Sequence, residues 1–314
     1  MIDLRRLHVL RAVAHYGTVT AAARALHFTP SAASQQIRQL ARDLGVDLLE
    51  PQGRGVRLTA AAESLLAHAD AIQARWEEAE LDLRAEYSAP TGQLRVIGFS
   101  TAASVLLAPM AVRLRERYPQ LTVRIQETGV PESFDLLFEG EADLAVVEVT
   151  PHNPPLSDAR FDQQPLLDDP YDLVVHDDHP LAGRERSEMG VPLPEGWGSV
   201  DLAEAAHEDW IAPMPESACR PHVMSACAAA GFTPGVAHLA RDWNVTAHLV
   251  AHRLGVALVP RLAQLPPHLP ITRVRCAGDP HRKVLTCTRR GCRERPAVKA
   301  ALEELRELAV TAVV

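Results

Sequence analysis

Turn and capping residues divide the first 45 residues of this chain into three short helical segments. Gly17 interrupts the first segment, and Thr18 is a suitable N-cap for the second. Thr29 is an N-cap candidate for the third segment, where Pro30 suits the first helical position and Gly45 ends the helix. Apolar residues recur at helical spacing within these segments and do not alternate as in a strand. The pattern therefore predicts three helices before residue 45.

The third helix has an apolar face and a polar face. The apolar face carries Ala33, Ile37, Leu40 and Leu44. The polar face carries Ser31, Ser34, Gln35, Arg38 and Arg42. Hydroxyl, amide and guanidinium groups are those that reach base edges and phosphates from a helix lying in the major groove. This face is predicted to read duplex DNA, with an ordinary solvated face as the alternative.

The charge distribution supports a nucleic-acid partner for the N-terminal segment only. The whole chain has a net charge of −8, which by itself argues against binding a polyanion. Residues 1–60, however, hold eight arginines and four acidic residues, a net charge of +4. Residues 49–58 have the pattern of a short β-wing, in which Arg54 and Arg57 are suited to contact flanking phosphates. The positive charge is thus placed where a phosphate backbone would lie.

A long helix is predicted from Thr59 to about Tyr87, followed by a hinge at residues 88–92. Its apolar residues repeat with alternating spacings of four and three. They are Leu65, Ala69, Ile72, Trp76, Ala79 and Leu83. This repeat is typical of a dimerising coiled coil, and packing against the chain's own domain is the alternative. A dimer would present two recognition helices about 34 Å apart, which matches two half-sites on duplex DNA.

Beyond the hinge, strand-like and helix-like runs alternate, which predicts an α/β architecture. The first group has strands at 94–99, 121–127 and 144–149 and helices at 103–118 and 133–139. The second group has strands at 171–176, 210–211 and 256–259 and helices at 221–230 and 245–251. Two late strands are predicted at 271–274 and 284–288, and a last helix at 296–308.

The order of these parts resembles the LysR-type transcriptional regulators over essentially the whole chain. The most specific match is LRRLHVLRAVAHYGTVTAAARALHFTPSAASQQIRQLARDLGVDLLE. It carries the family's spacing F/L-x-x-V-A-x-x-G-S/T-x-T-x-A-A-x-x-L, then S/T-x-S/P-A-x-S-x-Q-I-x-x-L, then L-G-V-x-L. Weaker matches follow in the family's order, namely ADLAVV, HPLAGR, CAAAGFTPGVA and HLVAHRLGVALVP.

The resemblance implies a winged helix-turn-helix over residues 1–58, a dimerising linker helix over 59–87 and an effector-binding domain over 93–314. That domain would have two α/β subdomains crossed by two strands, as in periplasmic binding proteins. Subdomain I would span about 93–164 and 269–314, and subdomain II about 165–268. The resemblance also implies a homotetramer assembled as a dimer of dimers. The fold class is therefore α+β and multidomain.

The same resemblance assigns DNA contacts to the start of the third helix and to the wing. The predicted DNA-binding residues are Thr29, Ser31, Ala32, Ser34, Gln35, Arg38, Arg54 and Arg57. Two departures from the family pattern narrow this set. Pro30 stands where many members have Gln, which removes a base contact. Leu49 and Pro51 replace an aromatic residue and an Arg before the wing, so no phosphate contact is expected there.

A small-molecule effector is expected in the cleft at the carboxyl ends of the sensor strands, where helix N-termini present free amides. Ser100 and Thr101 stand between a strand and a helix, so their hydroxyl and N–H groups suit a carboxylate or another anionic group. A plain Ser/Thr cap is the alternative. By the resemblance, the other cleft walls are Thr128, Gly129, Val130, Thr150, Pro213, Met214, Trp243 and Asn244. The apolar members would flank the effector and the polar members would orient it.

The sequence is also open to three other interpretations. The segment HDDHP at 176–180 suggests a metalloenzyme, but it lacks a third ligand at a recognisable spacing, and no Walker loop, G-x-S-x-G or zinc motif is present. A binding protein without DNA function leaves the basic N-terminal segment unexplained. A thiol sensor would use Cys219 with Cys227, or Cys276, Cys287 and Cys292, yet helical spacing separates the first two by about two turns.

The remaining composition bears on location and cofactors. No apolar run approaches the length needed to span a bilayer, and the first residues do not resemble a signal peptide. Five cysteines without a C-x-x-C pair indicate reduced thiols. A cytoplasmic location is therefore expected, and neither a metal nor a cofactor is predicted.

Overall fold

The N-terminal unit is built from three short helices, a hairpin and a long helix. The computed structural model describes residues 4–52, 55–83, 89–185 and 199–312 and divides into two units, Met1–Arg84 and Ala85–Val314. Helices α1 (Leu4–Tyr16), α2 (Val19–Ala25) and α3 (Pro30–Leu44) form the first part of the N-terminal unit. Both predicted N-caps are present, since Thr18 Oγ1 accepts from the N–H of Ala21 and Thr29 Oγ1 accepts from the N–H of Ala32.

The hairpin and the long helix follow directly. Strands β1 (Leu49–Gln52) and β2 (Gly55–Leu58) pair antiparallel, with Leu49 opposite Leu58. Helix α4 (Ala60–Leu83) starts at Thr59, whose hydroxyl accepts from the N–H of Ala62 and donates to the carbonyl of Asp47. Helix α4 packs on α1 and is held there by a largely buried ion pair between Arg11 and Asp70, with 2.7 Å between nitrogen and oxygen.

The first part of the sensor unit is a parallel βαβ arrangement. Strand β3 (Gly92–Gly98) lies between β4 (Leu121–Glu127) and β5 (Leu144–Glu148) and pairs parallel with both. The connection from β3 to β4 is helical from α5 (Ser100–Ala102) through a π-helical turn, Ala103–Leu107, to α6 (Ala108–Arg117). Helix α7 (Glu132–Glu139) connects β4 to β5. Leu94, Val96, Leu144 and Val146 are buried in the core between this sheet and its helices.

One strand joins the two halves of the sensor unit. Strand β6 (Phe161–His176) pairs antiparallel over its first part with β11 (His281–Arg289), and over its last part with β9 (Ala257–Pro260) and β10 (Ile271–Arg275). The seven strands run in the order β10-β6-β11-β5-β3-β4, with β9 beside β6. Strand β11 also pairs with β5, so β6 and β11 connect the halves.

The second half contains a smaller parallel sheet and two helices. Strand β7 (Asp209–Pro213) pairs with β8 (Gly235–Ala240), and α8 (Cys219–Ala229) connects them. Helix α9 (Trp243–Ala251) follows, capped by the side chain of Asp242, which accepts from the N–H groups of Asn244 and Val245. Helix α10 (Pro296–Ala312) packs on the first half, since its Leu302 and Leu305 belong to the same buried core as Leu94.

The larger differences from the sequence prediction are a long strand, a missed strand and the start of one helix. Strand β6 begins at Phe161 and not at Tyr171, because its first residues, FDQQPLLDDP, contain prolines and acidic side chains that hide the strand pattern. This first part is a strand because it pairs with β11. Strand β8 was not predicted, since its alternation is short and weak. The first sensor helix begins at Ser100, three residues before the predicted start.

Candidate DNA interface and effector cavity

The predicted reading face of α3 is turned outward. Ser31, Gln35 and Arg38 are exposed, while Ala32 and Ser34 are partly buried. The opposite residues Ala33, Ile37 and Leu40 are buried in the helical core. Thr29 acts as the N-cap, and its Oγ1 lies 3.1 Å from Ser31 Oγ. Burial of one face therefore fixes which side chains of α3 a partner can reach.

The wing brings one of its two predicted arginines into an ion pair. Arg57 lies opposite Glu50 in the β1–β2 register, and its Nε donates to Glu50 Oε1 at 2.7 Å. Both side chains are well exposed, so such a pair contributes only about 0–1 kcal/mol and a phosphate can compete for it. Gly53 and Arg54 lie outside the described residues.

The predicted coiled-coil residues of α4 differ in their exposure. Ala69 is buried on the side that packs against its own unit, and Leu65 is partly buried. Ile72 and Trp76 are 54% and 60% exposed, and Ala79 is also exposed. The side chain of Leu83 is not among the described side chains. The exposed apolar residues of this seam are thus in the middle of the helix.

A cavity of about 120 Å³ lies where the two halves of the sensor unit meet. The first half contributes Phe99, Ser100, Thr101, Glu148 and Arg282. The second half contributes Pro213, Ser217, Cys219, Ala240, Arg241, Asp242, Trp243 and Thr246. The starts of α5, α8 and α9 all border the cavity, because each follows the carboxyl end of a strand or the loop after it.

Four of the predicted effector residues line this cavity, namely Ser100, Thr101, Pro213 and Trp243. The other six, Thr128, Gly129, Val130, Thr150, Met214 and Asn244, are not among its lining residues. Some of these have local roles instead. The hydroxyl of Thr150 donates to Asn153 Oδ1 at 2.8 Å, and the N–H of Met214 donates to the carbonyl of Ala240.

The wall of the first half is organised by one buried guanidinium. Arg282 of β11 is 1% exposed and lies over the ring of Phe99 at 4.6 Å. Its Nε donates to Asp169 Oδ2 at 2.9 Å, and its Nη2 donates to Thr101 Oγ1 at 2.8 Å. Its Nη1 lies 3.1 Å from Glu148 Oε2 and 3.3 Å from Cys219 Sγ. Arg282 therefore connects both crossing strands with one helix start from each half.

Burial and the neighbouring charges set the protonation of this cluster. Burial would lower the pKa of Arg282, but the neighbouring carboxylates Glu148 and Asp169 outweigh it and raise that pKa above its ordinary value. Burial also raises the pKa of Asp169, although Arg282 opposes this shift. Burial raises the pKa of the Cys219 thiol to about 12, with Glu148 adding to the rise and Arg282 opposing it. Cys219 is therefore a neutral thiol next to a permanent cation.

The arrangement of the cysteines bears on the thiol-sensor hypothesis. All five cysteines are buried, and none of them forms a disulfide. Cys219 and Cys227 lie at the two ends of α8, eight residues and about 12 Å apart along the helix axis. That separation exceeds the reach of a disulfide while α8 remains helical.

Sequence reasoning missed Glu148, Asp169, Arg282, Arg241 and Asp242. Asp242 had a detectable signal, since an Asp that directly precedes an apolar helix is a typical N-cap. Glu148 ends the buried strand LAVVE, where a charged residue is unusual. Arg282 had no such signal, because its partners are 63 to 181 residues away in the sequence.

Two further observations concern the other interpretations. Among the described residues, no group of three or more His, Cys, Asp or Glu side chains is placed to hold a metal ion. His179 of the HDDHP segment instead lies 3.4 Å from Glu208. No described helix combines the length and the hydropathy that a membrane span requires.

The comparisons with known proteins agree with the fold. A family model described as "LysR substrate binding domain" matches residues 87–310, and "Bacterial regulatory helix-turn-helix protein, lysR family" matches residues 4–63. The chain is 30% identical over 260 residues to the Hca operon transcriptional activator HcaR of Escherichia coli, which covers 82% of each protein. It is also 30% identical over 210 residues to the RuBisCO operon transcriptional regulator of Allochromatium vinosum, covering 67% of this chain and 63% of that relative.

A solved structure of a full-length OxyR variant from Pseudomonas aeruginosa has the same fold, with a TM-score of 0.62 at 22% identity over 98% of this chain and 95% of the other. The two family models together span both units of the chain. The chain therefore belongs to the LysR-type transcriptional regulators, which are DNA-binding proteins controlled by small-molecule effectors and not enzymes.

Proposed function

We propose that this regulator, acting in the cytoplasm, reads its promoter with the exposed face of α3 in the major groove. The observation that supports this is the outward placement of Ser31, Gln35 and Arg38 opposite a face whose Ala33, Ile37 and Leu40 are buried. Gln and Arg side chains make the bidentate contacts to adenine and guanine that discriminate base pairs. Arg57 and Arg54 of the wing would contact flanking phosphate, which fixes the register of α3 without reading sequence.

The test is a selection of binding sites from a random duplex library with the wild-type chain. Gln35→Ala and Arg38→Ala are then measured on the selected site by fluorescence anisotropy. Each should weaken specific binding by about 1–3 kcal/mol and relax the preference at one or two base pairs. Arg115→Ala, an exposed arginine of α6, is the matched control and should leave binding unchanged. Unchanged affinity and selectivity in both α3 variants would refute the proposal.

We propose further that the chain dimerises through α4 and assembles into a homotetramer. The exposed Ile72 and Trp76 support the dimer, because large apolar side chains in one stripe of a helix are suited to a partner helix. Two α3 helices in one dimer would read two half-sites. Sedimentation of wild type and of Ile72→Ser/Trp76→Ser tests this assembly, and a variant with unchanged mass would contradict it.

For the sensor, we propose that an effector occupies the cavity and that an anionic group of it contacts Ser100 and Thr101. Ser100 lines the cavity and is exposed, and no side chain caps the helix that begins there. An effector that contacts both halves would favour one angle between them. Shifting a population from 1:99 to 99:1 in this way requires about 5.5 kcal/mol of preferential binding.

Screening metabolites for a thermal shift of the full chain tests this proposal. A ligand at 100 times its dissociation constant stabilises the folded protein by about 2.7 kcal/mol. Its effect should be reduced in Ser100→Ala and unchanged in Ser157→Ala, which replaces a serine outside the cavity lining. A stabilising ligand that acts equally on both variants would place the effector elsewhere.

A further inference from the structure

Glu148 is a buried carboxylate with one oxygen left without a donor. The residue ends β5, is 5% exposed and lines the cavity. Its Oε2 accepts from Arg282 Nη1 at 3.1 Å, and the Cys219 thiol lies 3.7 Å from the same oxygen. No described residue donates a hydrogen bond to its Oε1. Because Glu148 lines the cavity, this oxygen is an acceptor that remains available to a donor group of a ligand.

Arg282, the buried cation beside Glu148, has all of its hydrogen-bonding groups in use. A guanidinium has five N–H groups. Here Nε donates to Asp169, Nη1 faces Glu148 and Cys219, and Nη2 lies 2.8 Å from Thr101 Oγ1 and 2.9 Å from Asp169 Oδ2. Its face is covered by the ring of Phe99. Arg282 therefore has no donor left for the carboxylate of an effector.

The second half adds no excess of positive charge. Arg241 and Asp242 are neighbours in the cavity lining, and Arg241 also pairs with Glu216. Side chains of the two signs are therefore equal in number around the cavity, with Arg241 and Arg282 balanced by Glu148 and Asp242. Glu148 still has an acceptor oxygen to which no described residue donates, whereas all the N–H groups of Arg282 have partners. The hydrogen-bonding position that this wall leaves available to a ligand is therefore an acceptor on a carboxylate, and a positively charged donor is its strongest partner.

The size of the cavity limits what can supply this donor. A cavity of about 150 Å³ holds one benzene molecule, and the space here is about 120 Å³. The polar lining includes the hydroxyl groups of Ser100, Thr101 and Ser217. A small, polar molecule fits these walls better than an extended aromatic acid does.

We propose that the effector is a small primary amine, of the size of the smaller amino acids, whose protonated amino group donates to Glu148 Oε1. An ammonium group has three donors and a charge opposite to that of Glu148. An amino acid also carries a carboxylate for the Ser100 end of the cavity. The inference rests on the proposed function of the cavity and adds the chemical class of its occupant.

The first experiment uses the wild-type full chain and varies only the ligand. Glycine, L-alanine, L-serine and ethanolamine are compared in thermal shift and calorimetry with L-lactate, propionate and the N-acetylated amino acids, which lack the ammonium group. At least one amine should bind, and its N-acetyl or hydroxy analogue should bind at least about tenfold more weakly. Binding should also weaken as the pH rises through the pKa of the free amine.

The second experiment asks whether Glu148 is the acceptor. Glu148→Gln keeps the size of the side chain and removes its charge, so the affinity for the amine should fall at least about tenfold. Glu141→Gln is the matched control, because Glu141 is exposed and pairs only loosely with Arg95 at 3.7 Å. The control should bind the amine as wild type does.

The outcomes separate this inference from the proposed function. If lactate or propionate binds as well as its amine counterpart, the amine is not recognised, although the cavity still binds an effector. If no amine in the panel binds, the inference is overturned. If an amine binds equally to wild type and to Glu148→Gln, its ammonium group is held elsewhere. Since the ligand series needs no variant, poor folding of Glu148→Gln leaves the first test decisive.

Discussion

The two units of this chain build their binding surfaces in different ways. The face of α3 that we propose to read DNA comes from one continuous segment, in which helical periodicity alone separates the exposed Ser31 and Arg38 from the buried Ile37. The cavity wall of the sensor depends on Arg282, whose hydrogen-bond partners lie on four other elements or loops and 63 to 181 residues away. A local surface can tolerate substitution without losing its fold, whereas a surface assembled around a buried charge cannot.

The strongest test of this contrast is Arg282→Met. The substitution leaves Glu148 and Asp169 buried without their shared cation, so the free energy of unfolding of the sensor unit should fall by about 3–5 kcal/mol. Urea unfolding followed by circular dichroism measures this loss. In contrast, Arg38→Ala on the exposed face of α3 should change stability by less than about 0.5 kcal/mol. An equal loss of unfolding free energy in Arg282→Met and Arg38→Ala would contradict the proposed difference between the two surfaces.

A smaller effect is expected where the N-terminal unit depends on local capping. Thr29→Ala removes the acceptor for the N–H of Ala32 at the start of α3 and should cost about 1 kcal/mol. Thr29→Ser keeps the acceptor and is the control. Promoter affinity should fall in the alanine variant, because the fraying turn carries Ser31. If Thr29→Ala is as stable as Thr29→Ser, the cap does not stabilise α3.

Thr29 and Arg282 also differ in how far the sequence predicts their roles. The helices of the N-terminal unit, their caps and the exposed face of α3 follow from periodicity and capping residues over short distances. In the sensor, Ser100 and Thr101 were predictable from their position between a strand and a helix, whereas Pro213 and Trp243 came only from the family resemblance. Arg282 and Asp169 were not predictable. The local sequence of a strand does not show that a charged residue will pair with a distant residue of opposite charge and become buried. Non-local pairing of β6 with β11 decides their position.

A weaker test of the sensor cluster uses pH. Burial lowers the pKa of His222 below its usual 6.5; nearby Arg282 and His281 lower it further, while Glu148 opposes the shift. Between the lowered value and about 6.5 the unfolded chain binds more protons than the folded chain, so stability falls as the pH drops through this window. His222→Gln should reduce that fall, and urea unfolding at pH values on both sides of the window measures it. An identical pH dependence in both proteins would contradict the assignment to His222.

The smallest effect is expected from oxidation of the cysteines, although Cys219 lines the cavity that we propose for the effector. Attack on a peroxide requires a thiolate, and burial raises the pKa of Cys219 to about 12 and that of Cys227 to about 11. The two residues stand at opposite ends of α8, so a disulfide between them would require the helix to unwind. Treatment of the full chain with hydrogen peroxide should therefore leave its promoter affinity within a factor of about two, well below the tenfold that 1.4 kcal/mol represents. Mass spectrometry of the treated protein checks the same point, because a Cys219–Cys227 disulfide that forms together with altered DNA binding would show that the sensor also responds through its thiols.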